Sequence, residues 1–175
     1  MNITLNKPIV IIGITGSGKS TIGKELAKKT QTEFYDSNSI LEGREGLSIS
    51  DIQEYMGLKY FQQRERETIK EILSYGQVVL STGSDSFLNQ DTREYIKSHS
   101  TCIWLHASIQ TVVERISRRH NRLKLSDQNV EKTITDLMNK SLPYFREAHI
   151  KIDSNSEAHN LVHHIISRIG KMDQV

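Results

Sequence analysis

The feature that most constrains this chain is a glycine-rich segment, Gly13-Ile14-Thr15-Gly16-Ser17-Gly18-Lys19-Ser20, which directly follows the apolar run at 8–12. It fits the pattern G-x-x-x-x-G-K-[ST]. The pattern requires a buried strand before it and a helix after it, and the residues from Thr21 to Lys29 predict that helix. Glycines let backbone N–H groups face inward, and a helix N-terminus adds partial positive charge. The segment therefore predicts a binding site for a nucleoside triphosphate.

Individual side chains of this segment have predictable tasks. Lys19 is expected to reach the β- and γ-phosphates, and Ser20 to offer a hydroxyl to Mg²⁺. A second strand, predicted at 32–35, delivers Asp36 at its carboxyl end, where open α/β sheets bind their ligands. The residues predicted to contact the nucleotide in this segment are Gly13, Thr15, Gly16, Ser17, Gly18, Lys19, Ser20 and Thr21.

Apolar runs alternate with helical patterns along the whole chain. Further strands are predicted at 78–80, 101–106 and 149–152, and helices at 91–97, from Ser108 onward and at 127–144. Pro143 is expected to end or kink the last of these helices. This alternation predicts a parallel sheet with helices on both faces. A length of 175 residues suits a single domain, residues 1–175.

Two segments have no strand pattern. A helix is predicted to begin at the capping pattern Ser48-x-x-Asp51 and to continue through the charged residues up to Leu73. The basic stretch 115–124 shows no apolar period, and we interpret it as a mobile surface loop.

Charge and composition exclude several classes of protein. The net charge of +2 is too close to zero to indicate a nucleic-acid surface. No apolar run approaches the roughly 20 residues that cross a bilayer, and the first residues lack the apolar core of a signal peptide. Cys102 is the sole cysteine, which favours a reducing compartment. We expect a cytoplasmic monomer that acts on a small molecule.

The chain resembles the shikimate kinase family of small P-loop kinases over nearly its whole length. The matching segments, in order, are 13–20, 34–37, 57–65, 79–83, 115–125 and 142–148. The resemblance implies a three-layer fold with a five-stranded parallel sheet in the order 2-3-1-4-5. It also implies an acceptor-binding region near 37–63 and a mobile lid near 117–128. The implied reaction is ATP- and Mg²⁺-dependent phosphorylation of shikimate to shikimate 3-phosphate, in aromatic amino acid biosynthesis.

The nucleotide half of the family site is present. By resemblance, Lys19, Asp36 and Arg122 are catalytic, Ser20 holds Mg²⁺, and Asp36 orients the metal through water. Arg115 matches the arginine that lies against adenine, and Arg122 the lid arginine that closes on the phosphates.

The acceptor half differs from the family at each expected contact. Asn38 stands where the family has a second aspartate, Gln62 and Lys140 stand where it has arginines, and Gly83-Ser84-Asp85 replaces a triple glycine. The residues predicted to bind the acceptor are therefore Asn38, Gln62, Gly83, Ser84, Asp85 and Lys140. An amide can hydrogen-bond a hydroxyl but cannot act as a carboxylate base.

Alternatives stay open at this point. The chain could be a paralogue that phosphorylates another small hydroxylated acceptor, or a catalytically silent nucleotide-binding regulator. Arg66, one helical turn after Gln62, could replace the missing charge, and Asp85 could supply the missing carboxylate. Glu65 could pair with Arg64 or Arg66, or could orient a basic residue of the acceptor site.

Overall fold

The computed structural model describes residues 6–120, 127–155 and 157–172. The strands are β1 Ile9–Ile12, β2 Glu33–Asp36, β3 Val78–Ser81, β4 Thr101–His106 and β5 Ile150–Asp153. The helices are α1 Lys19–Thr30, α2 Ser37–Glu45, α3 Ile49–Met56, α4 Leu58–Ser74, α5 Gln90–His99, α6 Ile109–His120, α7 Asp127–Phe145 and α8 Ala158–Met172, and a short 3₁₀ turn spans Ser86–Leu88. None of the helices in these ranges combines the length and apolar character needed to cross a membrane.

The five strands form one parallel sheet in the order β2-β3-β1-β4-β5, as predicted. The register pairs Ser81 of β3 with both Asp36 of β2 and Ile11 of β1. The carboxyl ends of these three strands therefore meet at one edge of the sheet. That edge carries the glycine-rich loop after β1, Asp36 at the end of β2 and the turn at Gly83 after β3.

The three central strands, β1, β3 and β4, are buried on both faces, which explains why they are nearly continuous apolar runs, whereas the edge strand β5 alternates between buried and exposed residues. One face packs Ile9, Ile11 and their neighbours against α1 and α8. The other packs Val10, Ile12 and Trp104 against α4 to α7. The result is the expected three-layer arrangement.

A smaller apolar cluster, Leu41, Ile52 and Phe61, joins α2, α3 and α4 beside the sheet. The predicted cap of α3 is present, since Ser48 Oγ accepts a hydrogen bond from the Asp51 backbone N–H at 3.1 Å. The prediction of one helix up to Leu73 is wrong. The backbone turns at Gly57, whose φ of 88° is unfavourable for other residues, and the segment divides into α3 and α4.

The basic stretch 115–124 is not a loop at its start, because α6 extends to His120. Arginine favours helices, so a charged last turn can be helical without an apolar period. Residues 121–126 lie outside the described part of the chain, so the predicted lid at 117–128 stays a prediction. Pro143 lies within α7, which ends two residues later at Phe145.

Candidate active site

The glycine-rich loop lies against α6. Gly16 has a φ of 76°, and a Cβ there would come within 3.1 Å of side-chain atoms of both Val112 and Ile116. Gly18 caps α1 in the left-handed conformation, with a φ of 99°. The loop's backbone is thus held at the N-terminus of α1, an arrangement that suits phosphate groups.

The other predicted loop residues differ in exposure. Ser17 is buried and packs against Gly13, while Thr15 and Thr21 are exposed. The Ser17 hydroxyl has no hydrogen-bond partner among the described residues. A buried hydroxyl normally has a partner, so this one is suited to a polar ligand held in the loop.

Lys19 is folded over the loop. Its Nζ donates to the carbonyl oxygens of Gly13 and Ile14, at 2.7 and 3.0 Å. Burial lowers the pKa of Lys19 to about 8, while attraction to the Asp36 carboxylate acts in the opposite direction. The cation is therefore placed at the loop and is able to exchange carbonyl partners for phosphate oxygens.

Ser20 and Asp36 lie together, because the Ser20 hydroxyl donates to Asp36 Oδ2 at 2.9 Å. The other carboxylate oxygen, Oδ1, accepts from the Ser39 backbone N–H at 3.2 Å and caps α2. A hydroxyl and a carboxylate are hard oxygen ligands of the kind that Mg²⁺ takes beside substrate phosphates. The two predicted metal residues therefore fit that ion.

Arg115 connects the loop to the segment after β5. Its guanidinium donates to the carbonyl oxygens of Ser17, at 3.0 Å, and Ser154, at 2.6 Å. Ser154 Oγ also donates to the Ser17 carbonyl oxygen at 3.0 Å. Ser154 was not predicted as a site residue, because nothing in the pattern of a short edge strand indicates that the next residue contacts a loop far away in the chain.

A cavity of about 330 Å³ lies beside the loop and is suited to the nucleoside end of a nucleotide. It is bounded by α1, α6 and the segment from β5 to α8. Its lining residues include Thr21, Arg115, Arg118, Ser154, Ala158 and Leu161.

A second cavity, of about 510 Å³, lies between α3, α4, α7 and the turn after β3; we call it the acceptor cavity. Three predicted acceptor residues line it: Gln62, Asp85 and Lys140. The other three, Asn38, Gly83 and Ser84, are not among its lining residues, although Gly83 and Ser84 directly precede Asp85. Apolar walls are supplied by Leu58, Phe61 and Tyr144.

Gly83 lies where two polar side chains approach the backbone. A Cβ at this position would be 2.8 Å from Glu65 Oε1 and 2.9 Å from Asn38 Oδ1. Asn38 Oδ1 is buried and has no hydrogen-bond partner among the described residues. Only glycine leaves room for both oxygens.

Glu65 does not pair with either neighbouring arginine. Arg64 binds Glu45 and Glu67, and Arg66 binds Asp91 at 2.6 Å, which also means that Arg66 does not replace the charge missing at Gln62. Glu65 is 4% exposed, lines the acceptor cavity and accepts a hydrogen bond from Ser86 Oγ. Burial raises the pKa of its carboxyl to about 7; the Ser86 hydrogen bond opposes this, and the charge of Asp85 adds to it.

Arg122, the predicted lid arginine, lies outside the described residues. The structure places the glycine-rich loop, Asp36 and Gly83 at the carboxyl edge of the sheet, and Gln62, Asp85 and Lys140 around the acceptor cavity. A phosphate-binding loop with its lysine, a hydroxyl–carboxylate pair, a cavity beside the loop and a separate acceptor cavity together define a P-loop small-molecule kinase.

Comparison with known proteins agrees with this class. The family model described as shikimate kinase matches residues 15–170. Shikimate kinase of Francisella tularensis subsp. holarctica is 36% identical over 166 residues, covering 94% of this chain and 93% of the relative. That of Sulfurihydrogenibium sp. is 34% identical, covering 94% and 99%. The solved structure of shikimate kinase from Acinetobacter baumannii in complex with shikimate superposes with a TM-score of 0.86 at 32% identity, covering 97% of this chain and 95% of that one.

The chain belongs to the shikimate kinase family. It is an ATP-dependent small-molecule kinase that uses Mg²⁺, as the resemblance implied.

Proposed function

We propose that this protein transfers the γ-phosphoryl group of ATP to a hydroxyl of shikimate, giving shikimate 3-phosphate for aromatic amino acid biosynthesis. The observation that carries the proposal is the acceptor cavity, which lies at the same sheet edge as the phosphate-binding loop. The Acinetobacter baumannii relative, which shares this fold, binds shikimate.

Transfer of a phosphoryl group depends mainly on positioning and on positive charge near the developing negative charge. Lys19 supplies that charge at the loop, and Arg122 of the lid adds a second cation. Ser20 and Asp36 hold Mg²⁺, which neutralises phosphate charge when it is bound. Arg115 fixes the nucleotide end of the site by holding the loop to Ser154.

The acceptor contacts are weaker than arginine would make them. Lys140 gives the shikimate carboxylate a point charge without a planar fork, and Gln62 gives it an uncharged donor. Asn38 hydrogen-bonds a ring hydroxyl. We expect the KM for shikimate to exceed that of relatives with both arginines, because neutral and point-charge partners bind a carboxylate less tightly.

ATP consumption by the purified protein, measured with and without saturating shikimate, tests the proposal. We expect turnover that depends on shikimate and that falls by about 10²-fold or more in Lys19→Ala, since removing one preorganised charge from the transferring group costs at least that much. Lys28→Ala, which changes an exposed lysine of the same helix, is the matched control and should keep wild-type turnover.

Other outcomes decide between the alternatives. ATP binding without shikimate-dependent turnover would contradict the proposal and direct the assay to other small hydroxylated acceptors. ATP binding without turnover of any acceptor in such a panel would favour a nucleotide-binding regulator.

The proposal includes a single-domain cytoplasmic monomer whose lid spans about 117–128 and whose acceptor region spans about 37–63. The contacts of Arg115 with the loop and with Ser154 support a role for it in the nucleotide site. The buried free thiol of Cys102 is consistent with a reducing compartment.

A further inference from the structure

The acceptor cavity contains a buried carboxylate, that of Glu65, whose charge no basic side chain balances. Among the described residues, no lysine, arginine or histidine lies within ion-pair distance of it. Its hydrogen-bond donor is the neutral hydroxyl of Ser86. An unpaired buried carboxylate is costly, and such departures from good packing are kept mainly at functional sites.

The position of this carboxylate is informative. Glu65 Oε1 and Asn38 Oδ1 approach the same glycine, Gly83, to within 2.8 and 2.9 Å of where a Cβ would be. An amide at position 38 can accept a hydrogen bond from a hydroxyl but cannot take its proton. Glu65 therefore brings a proton acceptor to the point that Asn38 leaves without one.

We propose that Glu65 is a catalytic residue, whose carboxylate accepts a hydrogen bond from the acceptor hydroxyl and takes its proton during phosphoryl transfer. The inference rests on the proposed function for the identity of the acceptor. As the acceptor oxygen bonds to the γ-phosphorus of ATP, its O–H bond breaks and the proton passes to Glu65. The bond from that phosphorus to the β–γ bridging oxygen breaks, ADP leaves, and Glu65 later releases the proton to water.

The charge environment suits this task. The other titratable side chains that line the acceptor cavity are Asp85, from the turn after β3, and Lys140 and Tyr144, from α7. Burial, aided by Asp85 and opposed by the Ser86 hydrogen bond, raises the pKa of Glu65 to about 7. A general base is most effective when its pKa lies near the working pH.

Glu65→Gln tests the proposal, because glutamine keeps the shape and the bond from Ser86 but cannot take a proton. We expect kcat to fall about 10²- to 10⁴-fold, with the Kd for ATP unchanged. The wild-type kcat should rise with pH through about 7, and this acid limb should be absent from the residual activity of the variant. Glu67→Gln, an exposed carboxylate of the same helix, is the control and should keep wild-type kcat.

A second variant separates chemistry from structure. Adding Asn38→Asp to Glu65→Gln returns a carboxylate beside the same point of Gly83 that both side chains approach, and we expect it to recover at least tenfold of the lost kcat. A thermal melt checks that each variant folds. Wild-type kcat in Glu65→Gln, an acid limb that persists in it, or a double variant as slow as the single one overturns the proposal.

Basal ATP hydrolysis separates failure of this proposal from failure of the proposed function. Water takes the place of the acceptor there and must also lose a proton. If the wild type does not turn over shikimate, the proposed function fails, yet slower hydrolysis by Glu65→Gln still supports the role of Glu65. Equal hydrolysis by the two proteins overturns that role.

Discussion

At the scale of single residues, Arg115 offers a direct test of how the phosphate-binding loop is held. Its planar guanidinium donates to the carbonyl oxygens of Ser17 and Ser154 at once. In Arg115→Lys the charge stays but the fork is lost. Losing one charge-assisted hydrogen bond costs about 1.5–3 kcal/mol, so we expect the Kd for ATP to rise about tenfold or more.

Titration calorimetry with ATP and Mg²⁺ measures this change. Arg146→Lys, the same exchange at an exposed residue in the turn directly after α7, serves as the control and should leave the Kd unaltered. An unchanged Kd in Arg115→Lys would show that the loop keeps its shape without the fork.

The residues of the nucleotide site could be predicted from sequence because they lie within one continuous motif whose spacing reflects a single local geometry. Ser20 and Asp36 could also be paired, since both follow strands that end at one sheet edge. Contacts such as that of Ser154 with Ser17 depend on tertiary packing between distant segments and leave no local pattern. The burial of Glu65 is hidden for the same reason, because its neighbours in sequence, Arg64 and Arg66, are charged and only partly buried.

At the scale of elements, the cap of α3 provides a prediction about stability. Ser48 Oγ accepts from the Asp51 N–H and also donates to the Asp51 carboxylate at 2.6 Å. Ser48→Ala removes both contacts, and we expect the free energy of unfolding to fall by about 1 kcal/mol. Urea denaturation measures it, with Ser50→Ala, an exposed helical position without a capping role, as the control. Equal losses in the two variants would contradict a specific role for the cap.

The helices and strands also show where sequence patterns are sufficient to predict the bounds of an element. Strands buried on both faces and helices with an apolar stripe were predicted nearly to their ends, as in β4 at 101–106. The division between α3 and α4 was not predicted, because the helical spacing of apolar residues continues on both sides of Gly57. The positive φ of this single residue ends one helix and begins the next. The extent of α6 was missed because its last turn is charged and carries no apolar period.

At the scale of the whole molecule, the buried carboxylate of Glu65 should make the stability of the fold depend on pH. Its pKa in the folded protein, about 7, lies above the ordinary value of 4.5, so the folded state holds this proton more tightly than the unfolded chain does. Proton binding by Glu65 therefore makes its full contribution to the free energy of unfolding below about pH 4.5. This contribution is lost as the pH rises to about 7.

Glu65→Gln removes this dependence and should therefore stabilise the fold at alkaline pH while it slows catalysis. Comparing the two proteins by urea denaturation from pH 4 to 8 cancels the titration of groups that they share. We expect nearly equal stability near pH 4.5, and an advantage for the variant on the order of 3 kcal/mol above pH 7, from a pKa raised to about 7. A difference that stays constant across this range would mean that Glu65 keeps an ordinary pKa in the fold. The combination of greater stability and lower activity is expected of a group that is buried for its chemistry at the expense of packing.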